Sequence, residues 1–392
     1  MEKTASFVYN PAGRVPAPPQ LTDPPAFFFS FLNDLPSWHP EFLMKALQLI
    51  ALSAIAFSFA ASSAEVYRTD NADFEIYGRA KVNMFNGYAY EFTTGKEAHP
   101  KLYGSAQLGV SGSTAVPGSN TRVFGNLIYD LSAEDSDDVE DRIRARYGYL
   151  GVQFEEAGRL LAGRTRPAIY KTIGLADVYT DWGSQGNAFW GLEGEAGGRQ
   201  DGLVMYDLDI NGFSFTANYQ FRDNGKNLRD GWSANLGYEW PQKVGITGGI
   251  YGFDAIDDDA PRKFSDKKEY AIGIYYGAFA SPGFYTAIVY DHAKLKGTTS
   301  MDDDAYRTDG GDFVLSWTSP KKAWTVIAGY SLLKDQSRDS GEAYRINQIV
   351  GNVTWNLTDN ANLYVEYADN FGEGEHSTAH RDILTLGAIY NF

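Results

Sequence analysis

The segment Phe213-Ser-Phe-Thr-Ala-Asn-Tyr-Gln-Phe221 alternates without a break: Phe213, Phe215, Ala217, Tyr219 and Phe221 fall on one side, Ser214, Thr216, Asn218 and Gln220 on the other. A period of two belongs to an extended strand with one apolar and one wet face; a helix would scatter both sets around its circumference. The apolar face carries aromatic residues at both ends, as a strand needs where it crosses the two interfaces of a bilayer. The same period recurs from residue 74 onward. It predicts strands over 74–85, 101–112, 122–130, 142–152, 159–164, 201–208, 213–221 and 232–239, then over 245–252, 269–277, 284–292, 312–318, 323–332, 344–355, 361–369 and 383–392.

Sixteen is an even number, and the connections alternate in length. Short links such as Asp209-Ile-Asn-Gly212, Trp240-Pro-Gln-Lys243, Ser319-Pro-Lys-Lys322 and Asn356-Leu-Thr-Asp-Asn360 are interspersed with long ones such as 86–100, 165–200, 291–311 and 370–382. Tight turns on one side and long loops on the other are the mark of a meander through an outer membrane. The last strand ends Leu384, Leu386, Ala388, Tyr390, Phe392 on one face, suited to closing against the first and removing both sheet edges. The expectation is an all-β chain, a closed antiparallel transmembrane β-barrel of about 16 strands forming one domain over 65–392.

Composition bounds the alternatives. After residue 64 there is no uninterrupted apolar run of about 20 residues, so a spanning helix is not expected there. The formal charge of −16 opposes nucleic acid as a partner, because phosphates need an extended basic surface. There is no cysteine, which removes disulfides, thiolate metal sites and cysteine nucleophiles. Met44-Lys45, the apolar run 46–60 and the small residues Ala61-Ser-Ser-Ala64 have the form of a secretory signal peptide. Residues 1–43, rich in proline, are read as an overextended, unstructured start. Residues 1–64 hold three basic and four acidic residues, a net −1, which leaves −15 on the rest.

Three stretches resemble the general trimeric porins of Gram-negative outer membranes: Ile76-Tyr-Gly-Arg-Ala-Lys81, the terminal Tyr390-Asn-Phe392, and the tract from Arg146-Tyr-Gly-Tyr-Leu-Gly-Val152 through Ala162-Gly-Arg-Thr-Arg-Pro-Ala-Ile-Tyr170 to Gly198-Arg199. The resemblance covers essentially all of 65–392. It implies a third outer loop folded into the barrel as a constriction, with Asp177 and Asp181 facing the pore and Arg79, Arg146 and Arg199 opposing them. It also implies a homotrimer, passive passage of small hydrophilic solutes and ions, and assembly through Phe392 by the barrel assembly machinery. Two positions depart from the family pattern: Gln107 stands where a basic residue is usual, and the loop reads Thr180-Asp-Trp-Gly-Ser184.

The pattern alone also argues for a basic inner wall. Arg142, Arg144 and Arg146 recur every second residue, with Ile143, Ala145 and Tyr147 on the other face, and Arg79 and Lys81 alternate with Gly78, Ala80 and Val82. A charge held against lipid at mid-membrane costs about 2–4 kcal/mol, which turns these residues inward. The acidic groups 135–141, 257–259 and 302–304 fall in long loops. A solvated rim that shares divalent ions with lipopolysaccharide phosphates is expected there rather than a dedicated Ca²⁺ site, since no EF-hand spacing is present. No cofactor is expected.

Other functions remain to be weighed. A barrel hydrolase would need an oriented base, yet His99, His376 and His380 lie in loops and His292 ends a strand with no serine nucleophile motif nearby. A sugar- or peptide-preferring channel could use the aromatic run 179–190 for stacking, and an adhesin would be soluble without detergent. The charge of −15 with Asp177 and Asp181 favours cations, against an arginine wall that favours anions; the expectation is a cation-preferring pore.

Overall fold

The computed structural model describes residues 64–87, 101–133, 143–191, 198–221, 228–255, 264–297, 305–335, 345–372 and 381–392. In chain order the strands are β1 Ala64–Arg68, β2 Ala72–Gly87, β3 Lys101–Ala115, β4 Thr121–Ser132, β5 Ile143–Phe154, β6 Gly158–Thr165, β7 Gln200–Ile210, β8 Phe213–Gln220 and β9 Leu228–Glu239. They continue as β10 Val244–Ala255, β11 Phe264–Tyr276, β12 Gly283–Gly297, β13 Ala305–Thr318, β14 Trp324–Asp335, β15 Arg345–Asn356, β16 Ala361–Asn370 and β17 Arg381–Asn391. Two single turns of helix, α1 Tyr170–Ile173 and α2 Ala188–Gly191, lie between β6 and β7.

From β2 to β17 each strand pairs antiparallel with the next, and β17 pairs with β2, so sixteen strands close on themselves. Closure leaves no edge for another chain to extend. The terminal Phe392 completes the seam by exchanging backbone hydrogen bonds with Gly78 at 2.8 and 3.0 Å. Below that point β2 outruns β17, and the short β1 covers the exposed stretch, pairing Arg68 with Asp73 and Ala64 with Ile76. This extra strand was not among the sixteen expected from the sequence.

The alternation has the predicted meaning. On β12, Ile288 is 61% exposed while its neighbour Val289 is 1% exposed, and on β8 Thr216, Asn218 and Gln220 are buried while Phe213 and Tyr219 are exposed. In a closed barrel, exposed Phe, Ile and Tyr on one face and buried Asn, Thr and Asp on the other identify outside and inside. Turns follow from local chemistry. Asn211 and Gly212 both have positive φ, 50° and 83°, the two-residue hairpin geometry that an Asn-Gly pair adopts most readily.

The strands differ from expectation mainly at their outer ends. β12 and β13 run to Gly297 and from Ala305, into what reads as a loop. Backbone pairing there needs no apolar alternation, and exposed Lys294 and Arg307 stand opposite each other in register.

Candidate functional site

The connection between β6 and β7 supplies the geometry of interest. Its described part, residues 166–191 with 198–199, runs across the polar inner face of the wall. Ala168 N donates to Asn218 Oδ1 at 2.7 Å and Ile169 N to Ser233 Oγ at 2.8 Å. On α1, Thr172 Oγ1 accepts from Asn235 Nδ2 at 2.6 Å and lies 3.1 Å from Thr247 Oγ1. Tyr285 then donates its hydroxyl to Leu175 O at 2.6 Å. Ile169 and Ile173 pack with Phe189, Tyr251 and Phe253 in a small apolar cluster, so the underside of the segment is dry as well as hydrogen-bonded.

At its far end the segment reaches the seam strands. Glu366 on β16 accepts three consecutive backbone N–H groups, from Thr180 at 2.8 Å, Asp181 at 2.9 Å and Trp182, and a fourth bond from Asn352 Nδ2 at 2.8 Å. Trp182 Nε1 donates to Thr385 Oγ1 on β17 at 2.7 Å. The chain then turns back: Gly186 N donates to Asp312 Oδ1 at 3.0 Å and Ala188 N to Asp291 Oδ1 at 2.9 Å. Orphan amide hydrogens of an irregular segment must be satisfied somewhere, and here carboxylates on the barrel wall accept them.

Asp181 is held by three side chains: it pairs with Lys81, accepts from Asn83 Nδ2 at 3.2 Å and accepts from the Tyr364 hydroxyl at 2.7 Å. Lys81 therefore touches the carboxylate directly rather than opposing it across a gap. Asp177 takes the Tyr170 hydroxyl and lies 3.5 Å from Arg166. Burial pushes the Asp177 carboxyl above its usual range, and Arg166, Arg199 and Arg146 work against that push. Because 28% of the side chain is still accessible, water screens both influences.

Arg79 lies near Arg146, Asp130 and Asp181. Arg146 pairs with Asp130 at 2.9 Å, and Gln107 Nε2 donates to the same carboxylate at 2.7 Å, so the neutral residue at 107 joins the charged belt as a donor. The Arg199 guanidinium sits over the Tyr147 ring, 5.0 Å from its centroid. Arg144 is exposed on β5, paired in register with Asp130; Arg142 lies outside the described residues. The strict alternation expected over 142–147 is broken. Tyr147 pairs with Ile128 and Ala145 with Tyr129, so Arg146 is an extra residue in a bulge and Tyr147 shares the inward face instead of opposing it.

Sequence reasoning did not find Glu366, Asp312, Asp291 and Lys267. Each is a charged residue on the inward face of a strand, the one signal that could have marked it. Of the histidines, His292 lies on the outward face of β12, 2.9 Å from Asp309; His99, His376 and His380, and the three acidic loop groups, lie outside the described residues.

Comparison with known proteins agrees with this architecture. A family model described as Gram-negative porin matches residues 49–375. The chain is 21% identical to outer membrane protein YedS of Escherichia coli over 367 residues, covering 89% of this chain and 99% of the relative, and 25% identical to porin-like protein L of Photobacterium profundum over 363 residues, covering 89% and 99%. Among solved structures it is similar to Salmonella typhi OmpF in complex with daunomycin, with a TM-score of 0.69, 20% identity and coverage of 83% and 99%. It is also similar to an anion-selective porin from Comamonas acidovorans, with a TM-score of 0.65, 14% identity and coverage of 82% and 100%.

Proposed function

The chain belongs to the family of Gram-negative porins of the outer membrane, and from that premise we propose that it is a passive diffusion channel for small hydrophilic solutes and ions. In this reading the described part of the connection, residues 166–191 with 198–199, narrows the lumen. The observation that carries it is the reach of Asp181 to Lys81 and Asn83 on β2, which sets the segment beside Arg79 and the Arg146–Asp130 pair. Opposed charges lining a narrow aqueous passage orient dipolar solutes and select ions by sign. The assembly is a homotrimer, as is typical of the family. It is inserted by the barrel assembly machinery through Phe392 after removal of a leader ending at Ala64, which leaves β1 to begin at Glu65, and its acidic loop groups meet lipopolysaccharide through shared divalent ions.

We infer a preference for cations, from the charge of −15 after residue 64 and the two carboxylates of the connection. Single-channel current from protein purified in detergent, recorded in a planar bilayer under a salt gradient, tests both parts. Large steps in multiples of three with a cation-sign reversal potential are expected. Asp177→Asn and Asp181→Asn should each lower the cation-to-anion ratio. The Lys81 contact does not shield this result, because potentials add and removing one negative charge raises the local potential whatever stands beside it. At ~6 Å in water one charge is worth about 0.7 kcal/mol, a roughly threefold loss for a cation and a matching gain for an anion, so the ratio should fall by up to about tenfold at low salt. An anion-sign potential from the unsubstituted protein would refute the preference while leaving the channel intact.

The raised Asp177 carboxyl gives the ratio a pH dependence. Its negative charge is fully present above its folded pKa and is lost as pH falls through that value, which lies above the ordinary aspartate range. Cation preference should therefore begin to decline at a higher pH than an exposed aspartate would dictate. In Asp177→Asn that component of the profile should be missing; an unchanged profile would assign it to another group.

A further inference from the structure

The inner face of β2 to β5 carries aromatic rings at two levels of the lumen. At the outer level Phe85 and Tyr103 stack with centroids 4.5 Å apart and planes 7° from parallel, and Trp182 meets Phe85 edge-on at 6.0 Å. At the inner level Tyr77 lies against Gly109 on β3 and Phe124 against Gly151 on β5: a methyl group on either glycine would come within 2.6 Å and 2.5 Å of the ring Cζ atoms. A glycine opposite each ring lets it lie along the wall rather than project across the passage. The level is tied together by Tyr77 OH donating to Asn126 Oδ1 at 2.5 Å, Asn126 Nδ2 donating to Tyr149 OH at 3.3 Å, and Phe124 meeting Tyr149 edge-on at 6.4 Å. All of these rings are partly accessible.

Between the two levels lies the belt of Arg79, Gln107, Asp130 and Arg146, where donors and acceptors stand side by side. A passing ion needs no aromatic surface, and an apolar solute would strip water from the belt with nothing in return. The matching solute has flat C–H faces for the rings and hydroxyls, each both donor and acceptor, for the belt. Phe85 and Tyr77 are eight residues apart on β2, ~26 Å along the strand, so a chain of several rings can touch both levels.

We propose that this face is a binding track for linear pyranose oligosaccharides. The proposal rests on the channel reading and adds a solute class to it. The test is single-channel current from the purified protein with maltohexaose or cellohexaose added, against polyethylene glycol of equal mass. Resolved, saturable blockades are expected from a hexaose and not from the polymer. Tyr103→Leu and Tyr149→Leu, which keep apolar bulk but lose the ring, should each shorten the mean blockade about three- to tenfold, read against each variant's own open-channel current. An open channel that neither hexaose blocks more than the polymer does, or leucine variants that hold the sugar as long as the parent, would overturn the track and leave the porin reading standing. A folded barrel that passes no current would overturn the channel reading. Calorimetric titration of the same sample with the two hexaoses then decides the track alone, saturable heat supporting it and none overturning it.

Discussion

Replacing Glu366 by alanine is expected to turn a steady open channel into one whose current flickers and whose mean conductance rises. The carboxylate is fully buried and accepts the N–H groups of Thr180, Asp181 and Trp182 together with the Asn352 amide. Three successive amides converging on one anion form a small nest. Each donor stranded without a partner costs about 1–3 kcal/mol, and the least expensive relief is for 180–182 to leave the wall and find water. Asp181 would resist through Lys81, Asn83 and Tyr364, so excursions rather than permanent release are anticipated, and noise is the more sensitive readout. Glu366→Gln should fall between: one oxygen still accepts, but the amide nitrogen turns a donor toward other donors. Current variance in planar bilayers decides the matter. A quiet channel of parental conductance in Glu366→Ala would show that the connection is held by its other contacts, and would weaken the proposal that its position sets the passage.

The barrel was legible because each membrane-facing strand repeats one local constraint. All sixteen segments read from alternation became strands of the ring, from 74–85 within β2 to 383–392 against β17. What the sequence concealed is non-local. Glu366 and Thr180 are 186 residues apart, and nothing near either residue announces the other. The Arg146 bulge was hidden for a related reason: an extra residue is defined by the partner strand, so three arginines at a period of two read as one face until β4 is placed beside them. Asp181, expected in a charged constriction together with Lys81, contacts that lysine as well as Asn83 and Tyr364, and Asp177 lies beside Arg166; of these, Asn83, Tyr364 and Arg166 carried no local signal that tied them to the loop. Lys267 shows the opposite failure. It lies in the charge run Asp266-Lys-Lys-Glu269, which looks solvated, and the strand was expected to begin only at 269; β11 begins at Phe264 and turns Lys267 and Glu269 inward while Lys268 stays exposed.

That buried lysine carries the other large expectation. Lys267 Nζ lies 2.9 Å from Glu269 Oε2 with both side chains wholly inaccessible, and it faces the rings of Tyr251 and Phe189 at 5.2 and 5.7 Å. Asp291, equally buried, holds Ala188 N at the start of α2. Two carboxylates and one ammonium thus sit beneath the returning arm of the connection, and the ammonium is the local counter-charge. Lys267→Met preserves length and apolar contact but leaves the carboxylates together in a dry place, where removing one partner of a buried pair costs about 3–5 kcal/mol. The folded barrel should lose that much stability in urea titrations from detergent, and α2 should loosen with it, since Phe189 packs over the vacated position. If the loss comes from stranded charge rather than lost packing, Lys267→Met combined with Glu269→Gln should recover most of it, giving a coupling well beyond the ~0.5 kcal/mol of independent sites. A single variant within about 1 kcal/mol of the parent would mean that Glu269 and Asp291 are neutralised without the lysine. A double variant no better than the single would make Lys267 a packing residue, and the connection would then rest on Glu366, Asp312 and the apolar contacts of α1.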